Sequence, residues 1–321
     1  MGSPKFALPS LSALAREHNL VGVVTQPDRP AGRGQTLTSP PVRGLSLELG
    51  LPVIQPRRLR EPEAMEILRA WQPDLIVVAA FGQILRAEVL ELPHFGCINV
   101  HASLLPRWRG AAPIQAALLH GDWQTGVTIM QLDPGVDTGA ILAQRSTIIT
   151  PSDNAGTLIE RLAHLGAELL LEVLPAYLAG SLPAVLQDDS LATYAPLIKK
   201  EEGLLDLSQT ALQLANQVRA FNPWPGASFN WQGQAVKVHG AHAEPSAGVT
   251  GASQPVKAHA SHTKPGKVAA IPPQPGQSFI LNGQPALQTG DGLLVLDEVQ
   301  PAGKKRMSGK AFLSGARGWG A

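Results

Sequence analysis

An α/β domain followed by a smaller β-barrel is the architecture this sequence predicts, and three observations predict it. Segments of strand character alternate with segments of helical period up to about residue 180. A stretch mixing Pro, Asp, Ser and Thr without a period then reads as a linker. Short apolar segments set off by Gly and Pro fill the rest, and 321 residues suit two cores better than one.

In the first domain, residues 1–180, strands are expected at 20–24, 52–54, 75–79 and 97–100, with a helix at 62–71 between them. That alternation argues for a parallel sheet. Residues 126–132 and 140–149 add two strand candidates, and 154–178 carries apolar residues at helical spacing. The chain opens on Gly2-Ser3-Pro4, a turn-like sequence that normally follows a first strand. The sheet is therefore expected to lack its opening strand, with the native start a few residues upstream. Residues 181–199 read as the linker and 200–321 as the barrel, with a β-sandwich as the alternative, a helix at 209–220 and strands at 235–238, 278–281 and 293–299. Within it, residues 241–277 are rich in Ala, Pro, Gly, Ser and Lys and read as a flexible insertion.

The formal net charge of +1 conceals an asymmetry: 14 basic against 18 acidic residues through residue 189, and 12 against 7 beyond it. A basic excess confined to one domain suits a polyanion, and solvated lysines produce the same count. Cys97 is the single cysteine, which excludes an internal disulfide and a four-cysteine metal site and points to a reducing, cytoplasmic compartment. The most apolar stretch, 75–85, is about half the roughly 20 residues a membrane helix needs, so no membrane partner is expected.

Chemistry concentrates at 97–110, Cys-Ile-Asn-Val-His-Ala-Ser-Leu-Leu-Pro-Arg-Trp-Arg-Gly. On a strand, Asn99 and His101 point to the same side, so an amide donor and an imidazole converge on one small atom. Donors aimed at a developing oxyanion are the largest catalytic factor in acyl chemistry, one of them worth about 3 kcal/mol. Further on, Asp133-Pro-Gly-Val-Asp137-Thr-Gly forms an acidic loop between two strand candidates. An aspartate there can accept a hydrogen bond from His101 and help carry away the proton that an attacking amine loses. The plain alternative for both aspartates is turn chemistry, and a lone Asn-x-His is more often structural. Trp108 reads as packing. His239 with His242, and His259 with His262, have metal-like spacing but lie in or beside the insertion, where solvated histidines are the simpler reading. Gly32-Arg-Gly34 lacks the frame of a phosphate loop.

Asn99-x-His101, then Ser103-Leu-Leu-Pro106 and Arg109-Gly110, then Asp133-x-Gly-x-Asp137-Thr-Gly, with Asp137 36 positions after His101, together resemble the folate-dependent formyltransferase family. The resemblance implies a Rossmann-like first domain and an OB-like barrel. It implies 10-formyltetrahydrofolate as donor, with Asn99 and His101 on the formyl oxygen and Asp137 as proton handler. Ser103, Leu104, Leu105 and Pro106 would line the folate site, and no metal is implied. The loop from Thr25 to Gly34, the run from Arg219 to Pro225 and the ending from Ala302 to Met307 are similar to the branch of the family that acts on methionyl initiator tRNA. That likeness makes Arg29, Arg33, Lys304, Lys305 and Arg306 candidate contacts to tRNA phosphates and implies a monomer. Two alternatives stay open: formylation of an amino sugar or purine precursor, for which the basic second domain would be idle, and a noncatalytic RNA-binding protein that keeps the fold.

Overall fold

A computed structural model describes residues 1–31, 36–245 and 274–320. It divides into two compact units, residues 1–118 with 122–198, and residues 119–121 with 199 onward. The first contains α1 (Leu8–Glu17), β1 (Val23–Val24), β2 (Arg29–Ala31), β3 (Thr36–Thr38), α2 (Pro41–Glu48), β4 (Val53–Ile54), α3 (Pro62–Trp71), β5 (Ile76–Val78) and α4 (Ala87–Leu90). It continues with β6 (Cys97–His101), β7 (Arg109–Gly110), α5 (Pro113–Leu119), β8 (Gln124–Gln131), β9 (Ile141–Ile148), α6 (Ala155–Leu178) and β10 (Tyr194–Ala195).

The sheet is mixed where the alternation predicted a parallel one. Strands run in the order β5-β6-β8-β9; β5 and β6 are parallel, while β8 is antiparallel to both β6 and β9. Residues 132–140, which join β8 to β9, are too few for a parallel crossover and close a hairpin instead. That hairpin loop carries both aspartates singled out above. At the other side, β1 pairs with β4, and Gly2 forms a parallel bridge to Ala79. The Met1 amine donates to the Val77 carbonyl at 2.6 Å, Gly2 N–H donates to Val24, and Ala79 N–H donates to Met1. An apolar cavity of about 300 Å³, lined by Leu14, Val23, Trp71, Ile76 and Leu174 among others, lies alongside.

α6 backs the central strands for reasons visible in its residues. Asn154 and Thr157 form a reciprocal capping box at its start. Leu158, Leu162, Leu169, Leu170 and Val173 bury one face. Gly166 has no Cβ, which would sit 2.7 Å from Val100 Cγ1, so the helix approaches β6 closely. Val100 therefore faces α6, and the alternation of the strand turns Asn99 and His101 to the opposite side. Just before the helix, Asp153 is buried and accepts from Thr150 and Arg161.

The stretch read as a linker belongs to the first unit through Ile198. Val185 bridges to Ile141, and β10 lies parallel to β7. The aperiodic composition is real, but it serves a strap that borrows its hydrogen bonds from the loops it crosses.

The second unit contains α7 (Ala211–Ala220), β11 (Ala227–Trp231), β12 (Gln234–Glu244), β13 (Ser278–Leu281), β14 (Gln284–Gln288), β15 (Leu293–Pro301), β16 (Met307–Ser308) and α8 (Gly309–Leu313). Its antiparallel sheet runs β11-β12-β15-β14-β13, with β16 on β15. Trp319 brings the edges together, packing edge-to-face on Phe229 of β11 and donating from its indole to the Phe279 carbonyl of β13. Residues 241–244, read as the start of a flexible insertion, continue β12, and residues 246–273 lie outside the described residues. Among the described residues no helix is long and apolar enough to cross a membrane.

Two stability predictions follow from this packing. Burial alone would raise the Asp153 carboxyl, but Arg161 and the hydrogen bonds from Thr150 and Thr157 outweigh it and hold the group below its ordinary value. Its contribution is thus present above the ordinary carboxylate value and lost as pH falls through the lowered one. Asp153→Ala should lower the unfolding free energy by about 2 kcal/mol at neutral pH in urea titrations, and the gap to the parent should shrink below about pH 4. Burial pushes the Cys97 thiol up to about 12. Thiol reagents at pH 8 should therefore modify native protein slowly and urea-unfolded protein at once, as followed by mass spectrometry.

Candidate active site

β6 carries both side chains that the sequence singled out. Asn99 and His101 are 9% and 6% exposed. Among the described residues the Asn99 carboxamide makes no hydrogen bond. Its polar atoms are not among the buried unpartnered ones, so the amide is free to meet a ligand.

The ring of His101 is oriented from two sides. Its Nε2 lies 3.0 Å from the carbonyl oxygen of Trp108. A carbonyl only accepts, so Nε2 carries the proton there. Nδ1 then faces Asp137 Oδ2 at 3.6 Å, an ion-pair separation. A second ring proton, when present, sits between Nδ1 and that carboxylate.

Asp137 comes from the β8–β9 hairpin loop and adopts a left-handed backbone, φ 53°. Its Oδ2 accepts from the backbone N–H of Gly110 at 2.8 Å. Asp133 does the local turn work instead: its Oδ1 accepts from Gly135 N–H and from the Thr138 hydroxyl. The two aspartates thus divide, one shaping the loop and the other facing the imidazole.

The Ser103–Pro106 segment is held from beneath. Thr128 Oγ1 accepts from Leu105 N–H and donates to the Ser103 carbonyl, while Gln144 Nε2 donates to the Leu105 carbonyl. The Ser103 hydroxyl donates to the Arg107 carbonyl, so its proton is used within the loop. Leu105 is buried, and Leu104 and Pro106 are half-buried. Of the four residues expected to line a folate site, Leu104 and Pro106 are the ones with side chains partly open to solvent.

Of the candidate phosphate contacts, Arg29 is exposed on the β2–β3 hairpin and donates to Gln26 Oε1. Arg33 lies outside the described residues. In the second unit Lys304 and Lys305 are exposed, whereas Arg306 is ion-paired with Glu298. Of the set-aside histidines, His239 bonds Gln300 and His242 bonds Asp297, while His259 and His262 are outside the described residues.

Two contributors escaped the sequence reading. Trp108 was read as packing, and its indole does bond Asp122, yet its backbone carbonyl orients His101. Gly110 was read as the glycine of the Arg109-Gly110 motif, and its N–H holds Asp137. The signal for Gly110 was the glycine itself: at φ 116° a Cβ would sit 2.7 Å from the Ala195 carbonyl oxygen. Gly110→Ala is expected to lower stability by about 2 kcal/mol and catalytic turnover by roughly 100-fold through displacement of that N–H. Urea titration and initial-rate measurements would check the two effects separately.

Comparison with known proteins places this geometry in a family. The family model described as formyl transferase matches residues 2–174, and the model described as formyl transferase, C-terminal domain matches residues 197–317. The methionyl-tRNA formyltransferase of Myxococcus xanthus is 45% identical over 317 residues, covering 98% of this chain and 93% of its own length. That of Chloroflexus aggregans is 47% identical over 316 residues, covering 98% of this chain and 96% of its own. In fold, the chain is similar to the sugar 3N-formyl transferase WlaRD, solved in the presence of dTDP and 5-N-formyl-THF, with a TM-score of 0.62 at 16% identity over 95% of this chain and 97% of that one. Two matched domains and near full-length identity lead to one conclusion: the chain belongs to the formyl transferase family of one-carbon transferases.

Proposed function

We propose that this protein transfers a formyl group from 10-formyltetrahydrofolate to the α-amino group of methionine esterified to initiator tRNA, for use in translation initiation. The observation that carries the proposal is the near full-length likeness to methionyl-tRNA formyltransferases, which extends through both units. The unclaimed amide of Asn99 beside a doubly oriented imidazole supports the chemistry.

10-Formyltetrahydrofolate supplies the formyl carbon. The α-amino group, with a pKa near 8, is partly neutral at pH 7 and attacks that carbon. As the carbon–nitrogen bond forms, the carbonyl electrons move to oxygen, where the free Asn99 Nδ2–H meets the charge beside the imidazole of His101. The proton lost from the attacking amine passes to Asp137, and collapse breaks the bond to the donor nitrogen, which takes up a proton. Leu104, Leu105 and Pro106 wall the pterin side, with Ser103 shaping the loop. Arg29, Arg33, Lys304 and Lys305 meet tRNA phosphates; Arg306 does so only by leaving Glu298. The protein works without a metal, as a monomer in the cytoplasm.

Purified protein should formylate methionyl-tRNA when supplied with 10-formyltetrahydrofolate, and activity confined to amino sugars would overturn the acceptor. His101→Ala should lower kcat by roughly 100- to 1,000-fold while tRNA binding in a gel-shift assay persists; a near-parental rate would remove His101 from the mechanism.

A further inference from the structure

We propose that Gln187, on the strap before β10, is a positioning residue for Asp137. The inference rests on the reading of Asp137 as the proton handler. It deepens that reading by naming what holds the loop in place.

Gln187 is the centre of a closed hydrogen-bonded ring. Its Oε1 accepts from Arg109 Nε at 3.0 Å and from an Arg109 terminal nitrogen at 2.9 Å. Its Nε2 donates to the carbonyl oxygens of Asp137 and Gly139, both at 2.8 Å. Arginine has only donors and a peptide carbonyl only accepts, so the partners themselves dictate which end of the carboxamide is oxygen. Both of its donors and both of its lone pairs are used. Glutamate would turn a carboxylate oxygen toward two carbonyls, and asparagine is one methylene short.

Asp137 is thereby gripped at two points. Gly110 N–H holds its carboxylate, and Gln187 holds its carbonyl. Both grips return to β7, since Arg109 and Gly110 are consecutive. Arg109 is 2% exposed, and its remaining interaction is an ion pair with Asp189 on the same strap. Residues 134–136, at the loop tip, are exposed. The left-handed backbone at Asp137 needs external support to persist, and Gln187 supplies it from outside the hairpin.

Gln187→Glu is the selective variant, because the Arg109 arm survives as an ion pair while both donors to the hairpin are lost. It should lower kcat roughly 10- to 100-fold, as removal of an orienting partner does, with KM for methionyl-tRNA and for 10-formyltetrahydrofolate within about two-fold of the parent. Gln187→Ala serves as the second variant, with the same pattern expected. In an Asp137→Ala background, Gln187→Glu should change kcat by less than about two-fold, because its effect runs through the residue already removed. A parental kcat for Gln187→Glu, or an undiminished loss in the Asp137→Ala background, would overturn the inference. Near-normal turnover of Asp137→Ala itself would instead overturn the underlying role of Asp137, and so separates the two failures.

Discussion

A single backbone N–H, that of Gly110, holds the Asp137 carboxylate against the imidazole of His101, and the rest of the site is arranged so that it can. The donor must point at the hairpin while the same residue lies against the Ala195 carbonyl, a combination that only glycine at φ 116° satisfies without a clash. Asp137 itself pays a backbone cost of about 1 kcal/mol or more for its left-handed conformation. Hydrogen bonds to a charged group contribute about 1.5–3 kcal/mol each, which outweighs that strain. The strained residue is therefore stable as long as β7 and β10 stay paired.

The imidazole is held just as firmly from the other direction. Trp108 presents its carbonyl to Nε2 because its own side chain is immobilised: the indole bonds Asp122, and Arg107 both bonds Asp122 and lies 4.3 Å above the ring. Asn99 differs from its neighbours in having nothing to bind within the described residues. A strand packed by α6 at Gly166 on one face thus offers one committed and one free side chain on the other. That division of labour is what oxyanion stabilisation needs, since a donor already satisfied by the protein has little left for a transition state.

Much of this was legible from residue types and spacing. Asn99 and His101 two apart on an apolar strand share one face by the pleat alone, whereas the hairpin between β8 and β9 was missed because strand–helix alternation pointed to a parallel sheet. α3 could be read to the residue because Pro62 starts it and its apolar face repeats at helical spacing. What escaped was held by contacts without a local signature. The strap from Val185 to Ala195 has no periodicity because its polar groups bond residues some 50 to 85 positions away, such as Arg109, Asp137 and Trp108. Composition alone makes such a segment look like a linker.

The sequence by itself determined the family and the candidate groups of the site, since side-chain chemistry and short-range spacing are properties of the chain. Only the tertiary structure decided which nitrogen of His101 meets the Trp108 carbonyl, which N–H holds Asp137, and that a supposed linker is bonded to the loop that carries it. Those outcomes depend on backbone carbonyls and N–H groups, which every residue carries alike. Their direction is set by packing, and no residue letter records it.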